Sequence, residues 1–258
     1  MVSIATKKRP PGDDPTVYPV DDRMAEGTLH RELAELLRPL VARHLAGAGV
    51  VARVGANQFI YWKQYEPTRS VAPDVYVLPG IDPTLEFGAW KVWESGVVPS
   101  FALEIVSGDV SKDYEDAPLR YAELGVSELV VFDPLPTPAS DRRAREELAQ
   151  ERCRWQVYRR AGKRGFPLVE RTNADRVRSK VLGCWLRDVS VRRPTSTHGA
   201  AVSSRELRLA IDPHGEELVP TEAEAARAAA ETERGRRVEA EAEVARLRAE
   251  IERLRGSR

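Results

Sequence analysis

Two acids stand where acids are out of place. Asp74 follows Pro73 at the mouth of the apolar run VYVL, and Glu104 lies inside FALEIV, where every other residue is apolar. An ionised carboxylate in such surroundings is costly unless it is paired or bound to a cation. Carboxylates on adjacent strands, aided by the main-chain carbonyl of Ile105, are the hard oxygen donors that Mg²⁺ takes while keeping several waters. One of those waters can become the nucleophile that attacks a phosphodiester. The same spacing also allows a purely structural account, in which Asp74 caps a turn and Glu104 pairs with an arginine.

The elements around these acids follow from periodicity. Leu29, Leu33, Leu36, Leu37, Leu40 and Val41 recur at helical spacing in TLHRELAELLRPLVARHLAG, which predicts one amphipathic helix with a bend at Pro39. GVVARVGANQFIYW holds two β-rich runs joined by Gly55, Ala56 and Asn57, the pattern of a hairpin. PDVYVLP and SFALEIVS read as further strands. SFALEIVS, the helix LRYAELGV and the run SELVVFDP form a strand, helix, strand unit with a parallel strand pair. Two strands around a Gly-rich turn in RCRWQVYRRAGKRGFPLVER, and another in VLGCWLRDVSV, read as antiparallel additions. The fold class is α/β. The expected division is a flexible N-terminal arm over 1–24, the main domain over 25–195, a linker and small hairpin over 196–220, and a coiled coil over 221–258.

The coiled coil is read from a sharp change to Ala, Glu and Arg after Pro220. Thr221 and Glu224 have the spacing of a reciprocal helix cap. Ala240, Val244, Leu247, Ile251 and Leu254 alternate steps of four and three, a heptad seam with charged flanks. That seam predicts a homo-oligomer; a lone solvated helix would leave it in water.

Charge and composition narrow the partners. The 258 residues carry 40 basic and 40 acidic side chains, so no global field attracts nucleic acid and a local patch must do so. Arg152, Arg154, Arg159, Arg160, Lys163 and Arg164, interleaved with Trp155 and Tyr158, suit phosphate contact and base stacking. Protection of an edge strand explains them equally well. Cys153 and Cys184 read as buried thiols, because two ligands without nearby histidines cannot complete a zinc shell. With no charged and apolar leader and no stretch approaching the ~20 apolar residues of a membrane span, the expected location is cytoplasmic.

The order APDVYVL, PSFALEIVS, an Asp, a helix with YAELGV, and ELVVFDP resembles the Uma-two family of restriction-endonuclease-like proteins, part of the PD-(D/E)XK nuclease superfamily. The resemblance runs from about residue 25 to residue 190. It implies a mixed sheet flanked by helices, Asp74 and Glu104 as acids that hold Mg²⁺ (or Mn²⁺), and hydrolysis of nucleic acid, DNA foremost. The superfamily's usual lysine stands two residues after the glutamate, where this chain has Val106. In Uma-two relatives a lysine comes instead from the next helix, four residues after an Asp and four before a Tyr. Asp113 and Tyr121 fill those flanks, and between them stands Ala117.

Arg120 and Lys112 are the two cations positioned to replace that lysine. Pro118 restricts both, since proline is tolerated only in a first helical turn and so sets the helix start near Asp116. Glu32 and His30 on the first helix are read as surface positions, and Asp133 as a residue that ends a strand at a turn. Two functions follow: an endonuclease that the missing lysine would weaken, or an inactive nuclease-fold protein acting in nucleic-acid binding or coiled-coil assembly.

Overall fold

The computed structural model describes residues 16–19, 28–106, 112–134, 152–162, 165–194 and 201–255. The chain divides into two compact units, Met1–Val219 and Pro220–Arg258.

The first unit is built on a six-stranded sheet. Its strands are β1 (Ala52–Gly55), β4 (Val75–Pro79), β6 (Phe101–Ile105), β7 (Glu128–Phe132), β8 (Trp155–Arg159) and β9 (Leu168–Thr172), side by side in that order. Only β6 and β7 run parallel, as the strand, helix, strand reading predicts. The short helix α2 (Val92–Ser95) precedes β6, and helix α3 (Ala117–Leu124) makes the crossover between β6 and β7. Successive strand residues point to opposite faces, so Val75, Val77, Phe101, Leu103, Val130 and Phe132 share one core with Leu33, Leu37, Leu40 and Val41 of helix α1 (Thr28–Gly47). Tyr76, Leu78, Ala102, Leu129 and Val131 share the other with Ala117, Tyr121 and Leu124 of α3. The sheet is thus mixed and covered by helices on both faces.

Two small sheets complete the unit. In one, β10 (Arg176–Arg178), β11 (Trp185–Pro194) and β12 (Ala201–Ala210) are antiparallel neighbours. β12 pairs residue for residue with β11 and lies within the segment read as linker and hairpin; the turn at 212–215 follows it, with the His214 N–H bonded to Asp212 Oδ1. In the other, β2 (Ile60–Tyr61) sits between β3 (Ser70–Val71) and β5 (Trp90–Lys91). The hairpin expected over 49–62 is therefore not formed. β1 joins β4 and β2 joins a different sheet, with Asn57 in the left-handed region and its N–H bonded to Pro73 O at the crossing. Gly55 permits this route, because a Cβ there would lie 2.2 Å from the Tyr76 ring.

Of the segment expected to be a loose arm, residues 16–19 are described, and they are docked. Tyr18 packs edge-on against Tyr61 with ring centroids 5.0 Å apart, and the Tyr61 hydroxyl donates to Pro19 O at 2.8 Å. An aromatic side chain within reach of an apolar wall is enough to hold the segment there.

The second unit is one helix, α4 (Glu222–Arg255). Its start is the reciprocal cap read from the sequence: Glu224 N–H donates to Thr221 Oγ1, and Thr221 N–H to Glu224 Oε2 at 2.8 Å.

Candidate active site

The site grows from the β4 and β6 pairing. Val75 faces Leu103 and Tyr76 faces Ala102, so one further step of that register sets Asp74 across from Glu104. Asp74 is 3% exposed, and both of its oxygens are held. Oδ1 lies 2.5 Å from His30 Nε2 on α1, and Oδ2 accepts the Ile105 N–H at 2.6 Å. Glu104 Oε1 accepts the Tyr121 hydroxyl of α3 at 2.5 Å. No arginine pairs with Glu104 among the described residues, so the pairing that would have made it structural is not what holds it.

Electrostatics mark Glu104 as the unusual group. Burial lifts its carboxyl well above the usual range, and the neighbouring Asp74 charge lifts it further, with Asp113 adding to the effect. The Tyr121 hydrogen bond and the Lys112 charge act the other way. Tyr121 itself is pushed well above a phenol's ordinary value by burial and by Glu104, which keeps it a donor.

Glu104 opens into a cleft of about 280 Å³ whose wall includes Lys112, Asp113, Asp116, Ala117, Arg120 and Tyr121. A single π-helical turn, Lys112–Asp116, leads into α3 there. Pro118 gives that turn a reason: it has no N–H to donate back to Tyr114, and its ring would crowd the Tyr114 carbonyl in a tight α-turn. A wider turn relieves both conflicts. Tyr114 then anchors the turn, with its hydroxyl 2.9 Å from Asp133 Oδ2 and accepting the Cys153 N–H at 3.0 Å.

The two cations differ in what they reach. Arg120 lines the cleft, but its Nη1 donates to Ser70 O at 3.0 Å on the rim. Lys112 lines the same cleft and acts electrostatically on Glu104. Ala117 is 7% exposed and forms part of the wall, at the position where a longer side chain would enter the cleft.

Three residues of the site were not singled out from the sequence as functional. His30 was read as a surface residue, yet its side chain is 13% exposed and bonded to Asp74. It sits three and seven residues before Leu33 and Leu37, on the buried stripe of α1, and that spacing was the available signal. Tyr121 falls one turn after Ala117 on the inward face of α3. Asp113 is buried and turned to the same cleft. Glu32 is exposed, as read.

The arginine patch resolves into internal ion pairs. Arg152 holds Asp133 through two bonds of 2.7 and 2.6 Å, Arg159 holds Glu128 at 2.6 Å, and Arg154 lies 3.3 Å from Asp188. Arg160 donates to the carbonyls of Val126 and Ala122 and covers the Phe166 ring. Trp155 is fully buried, and Tyr158 donates to Gln156. Lys163 and Arg164 lie outside the described residues. Asp133, beyond its strand end, is the buried centre of the Arg152 and Tyr114 network.

Among the described residues no three His, Cys, Asp or Glu side chains gather closely enough to enclose an ion by themselves. Asp74 and Glu104, at facing register positions, nevertheless fit a hard divalent cation that retains water, because both are oxygen donors and the Asp74 charge adds to what raises the Glu104 carboxyl. A family model described as "Putative restriction endonuclease", Uma2, matches residues 18–190. The chain belongs to the Uma2 family. Membership gives the mixed sheet and its helices a restriction-endonuclease-like identity, a class that typically uses a divalent metal and implies a nucleic-acid substrate. A solved structure described as a "putative nuclease belonging to DUF820" from Anabaena variabilis is 14% identical to this Uma2 chain. The match covers 70% of this chain and 79% of that one, with a TM-score of 0.36. No match is found among curated proteins. No described helix is long and apolar enough to cross a membrane.

Proposed function

We propose that this Uma2 protein is a metal-dependent endonuclease, with DNA as its substrate. Asp74, Glu104 and the Ile105 carbonyl would hold Mg²⁺, or Mn²⁺ in its place. The observation that carries this reading is the pair of carboxylates at facing register positions, with Glu104 at the wall of a cleft and its carboxyl raised by burial and by the Asp74 charge. The ion supplies Lewis-acid activation of water at the scissile phosphate. The chain supplies orientation: His30 and the Ile105 N–H fix Asp74, and the Tyr121 hydroxyl fixes Glu104. Lys112 takes the part of the missing lysine, placing positive charge where the phosphorane becomes negative. Arg120, bonded to Ser70 O at the rim, contributes to substrate binding more than to that charge. The two free buried cysteines suit a reducing compartment, the cytoplasm.

A second reading is favoured by Ala117, which leaves the cleft wall without the family's lysine. Under it, the protein keeps the nuclease fold for nucleic-acid binding or coiled-coil assembly and does not cut. A calorimetric titration with Mg²⁺ and Mn²⁺ tests the metal site directly. Wild type should bind one ion per chain and Glu104→Gln should lose it; equal heats for the two proteins would reject the site. Restoring the lysine by Ala117→Lys separates the readings, since cleavage that appears only in this variant identifies an intact metal site in a protein that no longer cuts.

A further inference from the structure

Within its own unit, α4 leaves the heptad seam uncovered: Val244, Leu247, Ile251 and Leu254 are 47 to 59% exposed. The steps between them put Val244 and Ile251 at a and Leu247 and Leu254 at d. β-branched residues at a with leucine at d favour two parallel strands over three or four. Arg237 falls at the preceding a position, where a polar side chain specifies register at a cost in stability.

The flanking charges decide the partner and its direction. The g positions carry Arg236, Glu243 and Glu250, and the e positions carry Glu241, Arg248 and Arg255. In a parallel, in-register pair each g side chain meets the next e side chain of the other helix. Arg236 then meets the second copy's Glu241, Glu243 its Arg248, and Glu250 its Arg255, so all three contacts join opposite charges. An antiparallel pair with the seams fully overlapped would instead set Glu250 against Glu250 and Arg248 against Arg248. Among the described residues, Glu243 and Glu250 pair on their own helix with the exposed Arg246 and Arg253, and such exposed pairs are weak and easily exchanged.

We infer that α4 pairs with the α4 of a second copy of this chain as a parallel, in-register two-stranded coiled coil centred on residues 240–254. The occupant of the seam is this sequence itself, because its own e and g pattern is self-complementary in that one arrangement.

Charge reversal in the full-length protein tests both partner and direction by sedimentation equilibrium at micromolar concentrations. Wild type should be dimeric. Glu243→Lys with Glu250→Lys, and separately Arg248→Glu with Arg255→Glu, should each weaken self-association about tenfold or more by opposing like charges. Mixed in equal amounts, the two double variants should recover a dimer, since each g then meets an opposite e; this recovery also shows that both variants remain folded. A monomeric or trimeric wild type, double variants that dimerise as well as wild type, or a mixture that stays monomeric would overturn the inference.

Discussion

His30 on α1 lies 2.5 Å from Asp74 Oδ1, while the Ile105 N–H holds the other oxygen at 2.6 Å. One buried carboxylate thereby ties the first helix to the interior strands β4 and β6 of the main sheet. Deleting the imidazole leaves a buried acceptor without one of its donors, at a cost of about 1–3 kcal/mol. His30→Ala should therefore melt several degrees lower, at about 2–4 °C per kcal/mol for a body of this size. His30→Gln, which can present an N–H in a similar place, should recover part of the loss. Thermal melts in EDTA make the comparison, and a Gln variant no better than Ala would argue against a donor role.

Lys112 and Arg120 both face the cleft, but Lys112 is the one whose charge acts on Glu104. Losing a stabiliser of developing charge typically costs about 10²–10³ in rate. Lys112→Ala should show a loss of that order in kcat with KM little changed. Arg120→Ala, which removes a bond to Ser70 O, should chiefly raise KM. Single-turnover cleavage by the two variants would reveal a reversed order if the assignment were wrong.

Glu104 predicts a pH signature in the metal-free protein. A carboxyl whose folded-state pKa lies above its unfolded value binds its proton more tightly when folded. Its stabilising effect is complete below the ordinary value of 4.5 and is lost as the pH climbs through the raised value. Glu104→Gln never ionises and can still accept from Tyr121. In EDTA the variant should melt above wild type at neutral pH and together with it below pH 4.5. A lower melting temperature at neutral pH would contradict the placement of a penalised charge there.

Arg159 distinguishes a structural ion pair from a nucleic-acid contact. Glu128 is fully buried, and Arg159 is its cationic partner at 2.6 Å, with Ser179 and the Lys180 N–H as its other bonds. Removing one member of a buried pair costs about 3–5 kcal/mol because the other charge is left uncompensated. Arg159→Ala should lose stability on that scale in urea melts while DNA mobility shifts stay unchanged at temperatures where it is folded. A stable variant with weakened shifts would return these arginines to the substrate.

What could be read from the sequence was whatever depended on neighbours along the chain. Glu104 stood out because five apolar residues surround it, the crossover because its strand, helix and strand are consecutive, and the α4 cap because Thr221 and Glu224 are three residues apart. The errors lie where a distant segment decides. Arg152, Arg154 and Arg159 look like a basic patch until Asp133, Asp188 and Glu128 are brought beside them from other strands. Residues 49–62 suggest a hairpin because nothing local tells β2 to leave for β3 and β5. His30 was hidden by its own helix, as a single polar side chain on an apolar stripe whose partner is 44 residues away.

Asp74 and Glu104 are proposed to form one metal site that cuts nucleic acid. Nicking of supercoiled plasmid by purified full-length protein, in Mg²⁺ and in Mn²⁺, beside Asp74→Ala handled identically, tests it most directly. Wild type should cleave, EDTA should stop the cleavage, and Asp74→Ala should lack it. Wild type and Asp74→Ala equally inactive with both metals, or equally active, would contradict it.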